Sequence, residues 1–142
     1  MLNKMLLKPK SLPGYEFERT WQMSVAKNTE LTVLPYIGKE YSVSFELFIN
    51  KFGRNAYESV IHLTTGANFA GMGSRNPAVW VMNSKHLTIA SSISGNKNLH
   101  KNIPGLEKNK WYKIEITQKL VDGKVLNKDF EFKFISNILV HV

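Results

Sequence analysis

Residues able to do chemistry are sparse in this chain, and the densest suggestive stretch is TTGANFAGMGSRNPAVWV, Thr64 to Val81. Gly66 and Gly71 have the G-x-x-x-x-G spacing of a phosphate-binding loop. That loop needs Lys and then Ser or Thr next, to reach the phosphates and the magnesium, and Met72-Gly73 stand there instead. Gly71-Met72-Gly73-Ser74-Arg75-Asn76 opens like a dinucleotide fingerprint, but Asn76 replaces its last glycine. Pro77 then leads into a strand pattern, so no helix N-terminus is aimed at an anion. The stretch holds no acid, and calcium asks for clustered carboxylates. What remains is Arg75. Its planar fork either ties loop carbonyls or a nearby glutamate together, or recognises a carboxylate or sulfate on a ligand. Gly71 and Gly73 suit both roles, since glycine permits positive φ and close backbone approach.

Metal and acid–base chemistry find little elsewhere. His62, His86, His100 and His141 have no i, i+4 partner, and cysteine is absent, which removes thiolate ligands, thiol nucleophiles and disulfides. The two aspartates, Asp122 and Asp129, lie far from the glycine stretch. A glycosidase needs two facing carboxylates. Glu16 and Glu18 form the best same-face pair, while Glu46, Glu115 and Glu131 stand singly. No G-x-S-x-G elbow is present. The chain is therefore expected to be non-catalytic, with no cofactor and no metal.

Charge points to a class of partner. A formal net charge of +8 favours polyanions, anionic glycans or acidic membrane surfaces. With 16 lysines to 3 arginines the balance disfavours nucleic acid, whose bases are read by arginine forks. Lys97, His100, Lys101, Lys108, Lys110 and Lys113 make the densest basic region, with Glu107 the only acid among them. If the loops at 95–98 and 104–110 converge at one rim, these residues form a polyanion site. No apolar run approaches the roughly 18 residues of a membrane helix. The opening MLNKMLLKPKSLPG is broken by Lys4 and Lys8 and lacks a small-residue cleavage site, so it does not read as a signal peptide.

The elements that must position these residues are strands. EYSVSFELFI puts Tyr41, Val43, Phe45, Leu47 and Ile49 on one face and Ser42, Ser44, Glu46 and Phe48 on the other. KWYKIEITQKL separates Trp111, Lys113, Glu115 and Thr117 from Tyr112, Ile114, Ile116 and Gln118. ESVIHLTT, AVWVM, KHLTIASS, FEFKFI and ILVHV read as further strands. Asn83-Ser84 marks a tight hairpin, and Asp122-Gly123 a type I′ hairpin. A turn signal about every 10 residues, with no helical period, predicts an all-β antiparallel sandwich or barrel. One domain over residues 1–142 is expected, with the first 13 residues fraying. Trp80 and Trp111 are expected in the core, since large aromatics dominate such interiors. Trp21, which alternates with Arg19 and Met23, reads equally as core or surface.

Four pieces together resemble laminin-G-like, concanavalin A-like domains: KEYSVSFELFINKF, VIHLTTGANFAGMGSRNPAVWV, LTIASSISGN and LEKNKWYKIEITQKLVDGK. The likeness runs over about residues 30 to 125, and RNPAVWV and NKWYKIEI are its most specific parts. The resemblance implies an antiparallel two-sheet jelly-roll sandwich, an extracellular setting, and binding of a glycan, a heparin-like polyanion or an extracellular protein, in some members with calcium. Where similar domains carry G-D-R, this chain has Ser74-Arg75, which weakens any carboxylate-dependent metal site. Cysteines found in similar glycine loops are replaced by Phe69-Ala70. Against that family the chain is short, and C-terminal strands are expected to be missing.

The expectation is a non-catalytic recognition domain with Arg75, Lys97, His100, Lys101, Lys108 and Lys110 as ligand-binding candidates. The alternatives are an assembly module that pairs through an exposed sheet edge and, third, a glucanase-type glycosidase.

Overall fold

The computed structural model describes residues 39–65, 71 and 74–136, with 30 and 33 and two N-terminal strands, 2–9 and 17–19. The described residues are all-β, with nine strands and one 3-10 turn at Asn127–Asp129. The strands are β1 (Leu2–Pro9), β2 (Phe17–Arg19), β3 (Tyr41–Ile49), β4 (Tyr57–His62), β5 (Ala78–Met82), β6 (Leu87–Ile93), β7 (Asn96–Ile103), β8 (Lys110–Gln118) and β9 (Phe130–Ser136). They form two antiparallel sheets, ordered β2-β1-β3-β8-β9 and β4-β5-β6-β7. Each sheet belongs to its own compact unit, residues 1–50 with 109–142 and residues 51–108. Gly66, Gly73, Glu16, Trp21 and the ILVHV strand lie outside the described residues.

The five-stranded sheet follows the alternation of its sequence. β3 buries Tyr41, Val43, Phe45, Leu47 and Ile49, and β8 buries Tyr112, Ile114, Ile116 and Gln118. The two strands pair residue for residue from Tyr41↔Gln118 to Ile49↔Lys110, so both apolar sets share one face. β9 pairs with β8 and adds Phe130 to that face, and Phe134 stacks on Tyr112 at 5.0 Å between ring centres. Each such buried side chain contributes about 1.5–3 kcal/mol. β1 pairs antiparallel with β3, from Leu2↔Leu47 to Pro9↔Tyr41.

The four-stranded sheet has two unlike faces. Ile61, Val79, Val81, Leu87, Ile89 and Ser91 face one way, all buried. The opposite face carries Tyr57, His62, Ala78, Trp80, Thr88, Ala90, Asn98, His100 and Asn102. The β5–β6 hairpin closes through Asn83, Ser84 and Lys85, one residue longer than Asn83-Ser84 alone. Lys85 takes φ 64°, and the Met82 N–H donates to the His86 carbonyl. The β6–β7 hairpin turns on Ser94-Gly95, with Gly95 at φ 78°.

β7 is a strand that the periodicity reading missed. NKNLHKNI offers only Leu99 and Ile103 to an apolar face, too thin a signal against Gly95 and three asparagines. Trp111 corrects another expectation. It belongs to the partly exposed face of β8, where its ring lies 5.3 Å from that of Phe48.

Candidate functional site

The polar face of the four-stranded sheet gathers the residues best able to recognise a ligand. Its centre is Trp80, only 8% exposed, packed with Ala78 and Ala90. Four groups surround the indole. The Arg75 guanidinium carbon lies 5.0 Å from the ring centre. His100 is stacked at 6.5 Å with an interplanar angle of 19°. His62 is tilted at 6.2 Å, and Tyr57 meets the ring edge-on at 6.4 Å. The indole's burial makes it a support for these groups rather than an open stacking surface for a sugar.

Strand register explains the gathering. Ala78, Ala90 and His100 are successive cross-strand partners, as are Trp80, Thr88 and Asn102. Neighbours in such rows sit about 4.5–5.5 Å apart. Arg75 reaches the face from the segment just before β5. Its carbonyl accepts from the Ser92 N–H at 3.1 Å. The Ser92 hydroxyl donates to the Lys97 carbonyl at 2.8 Å, which ties that segment to the β6–β7 hairpin. His62 Nε2 donates to the Ser74 carbonyl at 2.6 Å, fixing its tautomer and holding the residue before Arg75.

The Arg75 side chain is only partly satisfied. Nη1 donates to Asn98 Oδ1 at 2.8 Å. Nε is buried and has no hydrogen-bond partner. The bracing partners are thus an amide on β7 and an indole, not the loop carbonyls or glutamate considered from sequence. On the same face Thr88 Oγ1 donates to Asn102 Oδ1 at 2.9 Å. None of the residues named on this face is acidic. The imidazole of His100 is held below its ordinary pKa, first by burial and then by the Arg75 charge beside it.

Within residues 51–108 the basic residues read from the sequence do not share one face. Lys97 sits at the start of β7 and Lys108 beyond its other end, and the eight residues of the strand extend about 25 Å. Lys101 pairs with Ile89 and so belongs to the apolar side, opposite His100. Lys110 begins β8, in the other compact unit. Of the six candidates the structure brings together Arg75 and His100. Asn98, Asn102, Thr88 and His62 join them and were not singled out from sequence. A usable signal was present: Asn96, Asn98, His100 and Asn102 recur at every second residue.

Lys113 donates to Glu115 at 2.8 Å. This bond, above all, holds the Glu115 carboxyl below its ordinary pKa, the wrong direction for a general acid. Among the described residues no three of His, Asp and Glu gather into a metal-binding group, and no helix is long and apolar enough to cross a membrane. No family model, curated protein or solved structure matches the chain.

Proposed function

We propose that this chain is a non-catalytic recognition domain that binds an anionic glycan on the polar face of its four-stranded sheet. The observation carrying this is the Arg75 guanidinium, stacked on Trp80, oriented by Asn98 and left with an unpartnered donor, beside His100, whose ring packs one side against Trp80 and leaves the rest in water. A fork held in one orientation suits the carboxylate of a uronate or the sulfate of a sulfated sugar. Asn102 and Tyr57 are exposed at the rim and suit sugar hydroxyls and ring faces. None of the residues named there is acidic, which favours an anion over a cation. The laminin-G-like, jelly-roll reading and the extracellular setting it implies belong to this proposal; two antiparallel sheets with hairpins at the expected places support it.

The scattered lysines shift the reading from a long polyanion track to one anion subsite. Titration of glucuronate-containing, sulfated and neutral oligosaccharides by calorimetry tests it. Binding of an anionic oligosaccharide that is lost in Arg75→Met supports the proposal. Equal binding of neutral and anionic sugars, or retention in Arg75→Met, defeats it. A second reading, assembly through a sheet edge, draws on β9 ending the five-stranded sheet with Ile135 exposed. A solution mass that rises with concentration would favour it.

A further inference from the structure

The connection from β8 to β9, residues 119–129, carries a feature unrelated to the Arg75 face. Leu120, Val121 and Leu126 are 42%, 47% and 45% exposed, three aliphatic side chains held out within seven residues of sequence. Lys119, Lys124 and Lys128 are interleaved with them and also exposed. Asp122 is the exposed acid of the segment, and Asp129 accepts from the Leu126 N–H through Oδ2 at 2.9 Å. Three lysines therefore oppose one uncommitted carboxylate. Beyond the segment, Lys39 is exposed and its carbonyl binds Gln118 at the end of β8, while Glu40 and Glu131 are the nearest acids along the adjoining strands.

The segment is built to hold this display. Asp122 and Gly123 take φ of 50° and 74°, both positive, which is the type I′ hairpin expected of Asp-Gly. Val121 and Lys124 exchange both backbone bonds, at 2.8 and 3.0 Å. The Asp129 N–H donates to the Leu126 carbonyl, and the Lys119 N–H donates to the Asp129 carbonyl, each at 2.9 Å. Val125, 1% exposed, anchors the connection from below. These internal backbone bonds lower the cost of moving that part of the tip out of water.

We infer that this tip docks on the surface of an anionic phospholipid bilayer, with Leu120, Val121 and Leu126 entering the headgroup boundary and the three lysines meeting lipid phosphates and carboxylates. The residue types favour lipid over protein. Protein interfaces deplete lysine and draw their energy from Trp, Tyr and Arg, none of which stands in residues 119–129. A second copy of the tip would set three lysines against three. An anionic bilayer takes both halves of the pattern, since apolar insertion and lysine attraction act together there. The net charge of +8 adds a long-range pull in the same direction.

Sedimentation with phosphatidylcholine vesicles, with and without phosphatidylserine, reads the docking. Binding to the phosphatidylserine vesicles, weakening as salt rises, is expected. Leu120→Ser with Val121→Ser should weaken it by about tenfold or more, while each Lys→Gln at 119, 124 or 128 weakens it roughly fivefold. Because the chain has no cysteine, Val121→Cys offers a single site for an environment-sensitive dye, which should shift to the blue on the same vesicles. The mutated side chains are exposed, so an unchanged melting temperature certifies the fold. No sedimentation with phosphatidylserine vesicles, equal binding by the double-serine variant, or an unshifted dye overturns the inference. So does a concentration-dependent mass that the double-serine variant abolishes without any vesicle binding. Arg75→Met should leave vesicle binding intact, which separates this inference from the glycan site.

Discussion

Arg75 and Trp80 are in cation–π contact, the guanidinium carbon 5.0 Å above the indole, and the same guanidinium keeps a buried Nε without a partner. These two facts pull stability in opposite directions. The bond to Asn98 contributes about 1.5–3 kcal/mol as a charged hydrogen bond, and the ring contact about 0.5–2 kcal/mol. The unpartnered Nε costs about 1–3 kcal/mol. Arg75→Met removes all three while keeping an unbranched stem and a sulfur able to pack on the indole. Its unfolding free energy, from denaturant titration, is expected within about 1 kcal/mol of the parent, with anion binding lost. A loss above about 3 kcal/mol would make Arg75 a structural brace and nothing more.

His100 supplies a pH test of the same geometry. Its folded-state pKa is lowered, by burial first and by Arg75 second. The unfolded chain then binds the proton more readily than the folded one. This contribution to stability is full above the unfolded value of about 6.5 and declines as pH falls from there toward the folded value. An NMR titration of the His100 ring should give a midpoint below the ordinary one. In Arg75→Met the midpoint should rise but stay below ordinary, because burial is the larger cause. A bound anion should raise it as well. A midpoint untouched by both the substitution and the anion would mean that the two cations do not share a site.

How far the sequence reveals this molecule depends on where apolar residues sit. β3 and β8 were legible because every second residue is large and apolar, so the period survives at full strength. β7 was not, because its apolar side offers Leu99 and Ile103 alone and its other side is Asn, Asn, His and Asn. Without β7, the loops read at 95–98 and 104–110 put Lys97, His100 and Lys101 together on one rim, whereas pleating sends His100 and Lys101 to opposite faces. The partners of Arg75 were not legible, since Asn98 lies 23 residues on. Trp111 misled because residue type says "core" while register says otherwise.

Trp80 and Trp111 should accordingly respond unequally to truncation. Trp80 is buried and supports Arg75, His62, His100 and Tyr57, so Trp80→Ala should cost about 3–5 kcal/mol and abolish anion binding. Trp111 is half-buried and pairs with Phe48, so Trp111→Ala should cost about 1–2 kcal/mol and leave anion binding unchanged. Thermal melts with a binding titration on each variant check both. Equal destabilisation would contradict the register that puts Trp111 on the outer side of β8.

Gln118 provides the last test, at the end of the five-stranded sheet. Its side chain is 1% exposed. Oε1 accepts from the Tyr41 hydroxyl at 3.3 Å, and Nε2 donates to the Lys39 carbonyl at 2.8 Å. Gln118→Leu keeps the volume but deletes both bonds, and should cost about 2 kcal/mol. Gln118→Glu keeps a partner for Tyr41 but sets an acceptor against the Lys39 carbonyl whenever it is ionised. Burial then raises the carboxyl's folded pKa above the unfolded value of about 4.3. The folded state holds the proton to higher pH, so stability falls as pH rises through that window. Denaturation of Gln118→Glu at acidic and neutral pH, each against the parent, should show a larger deficit at neutral pH. A deficit independent of pH would mean that position 118 reaches water and that the two hydrogen bonds do not hold the β3–β8 end closed.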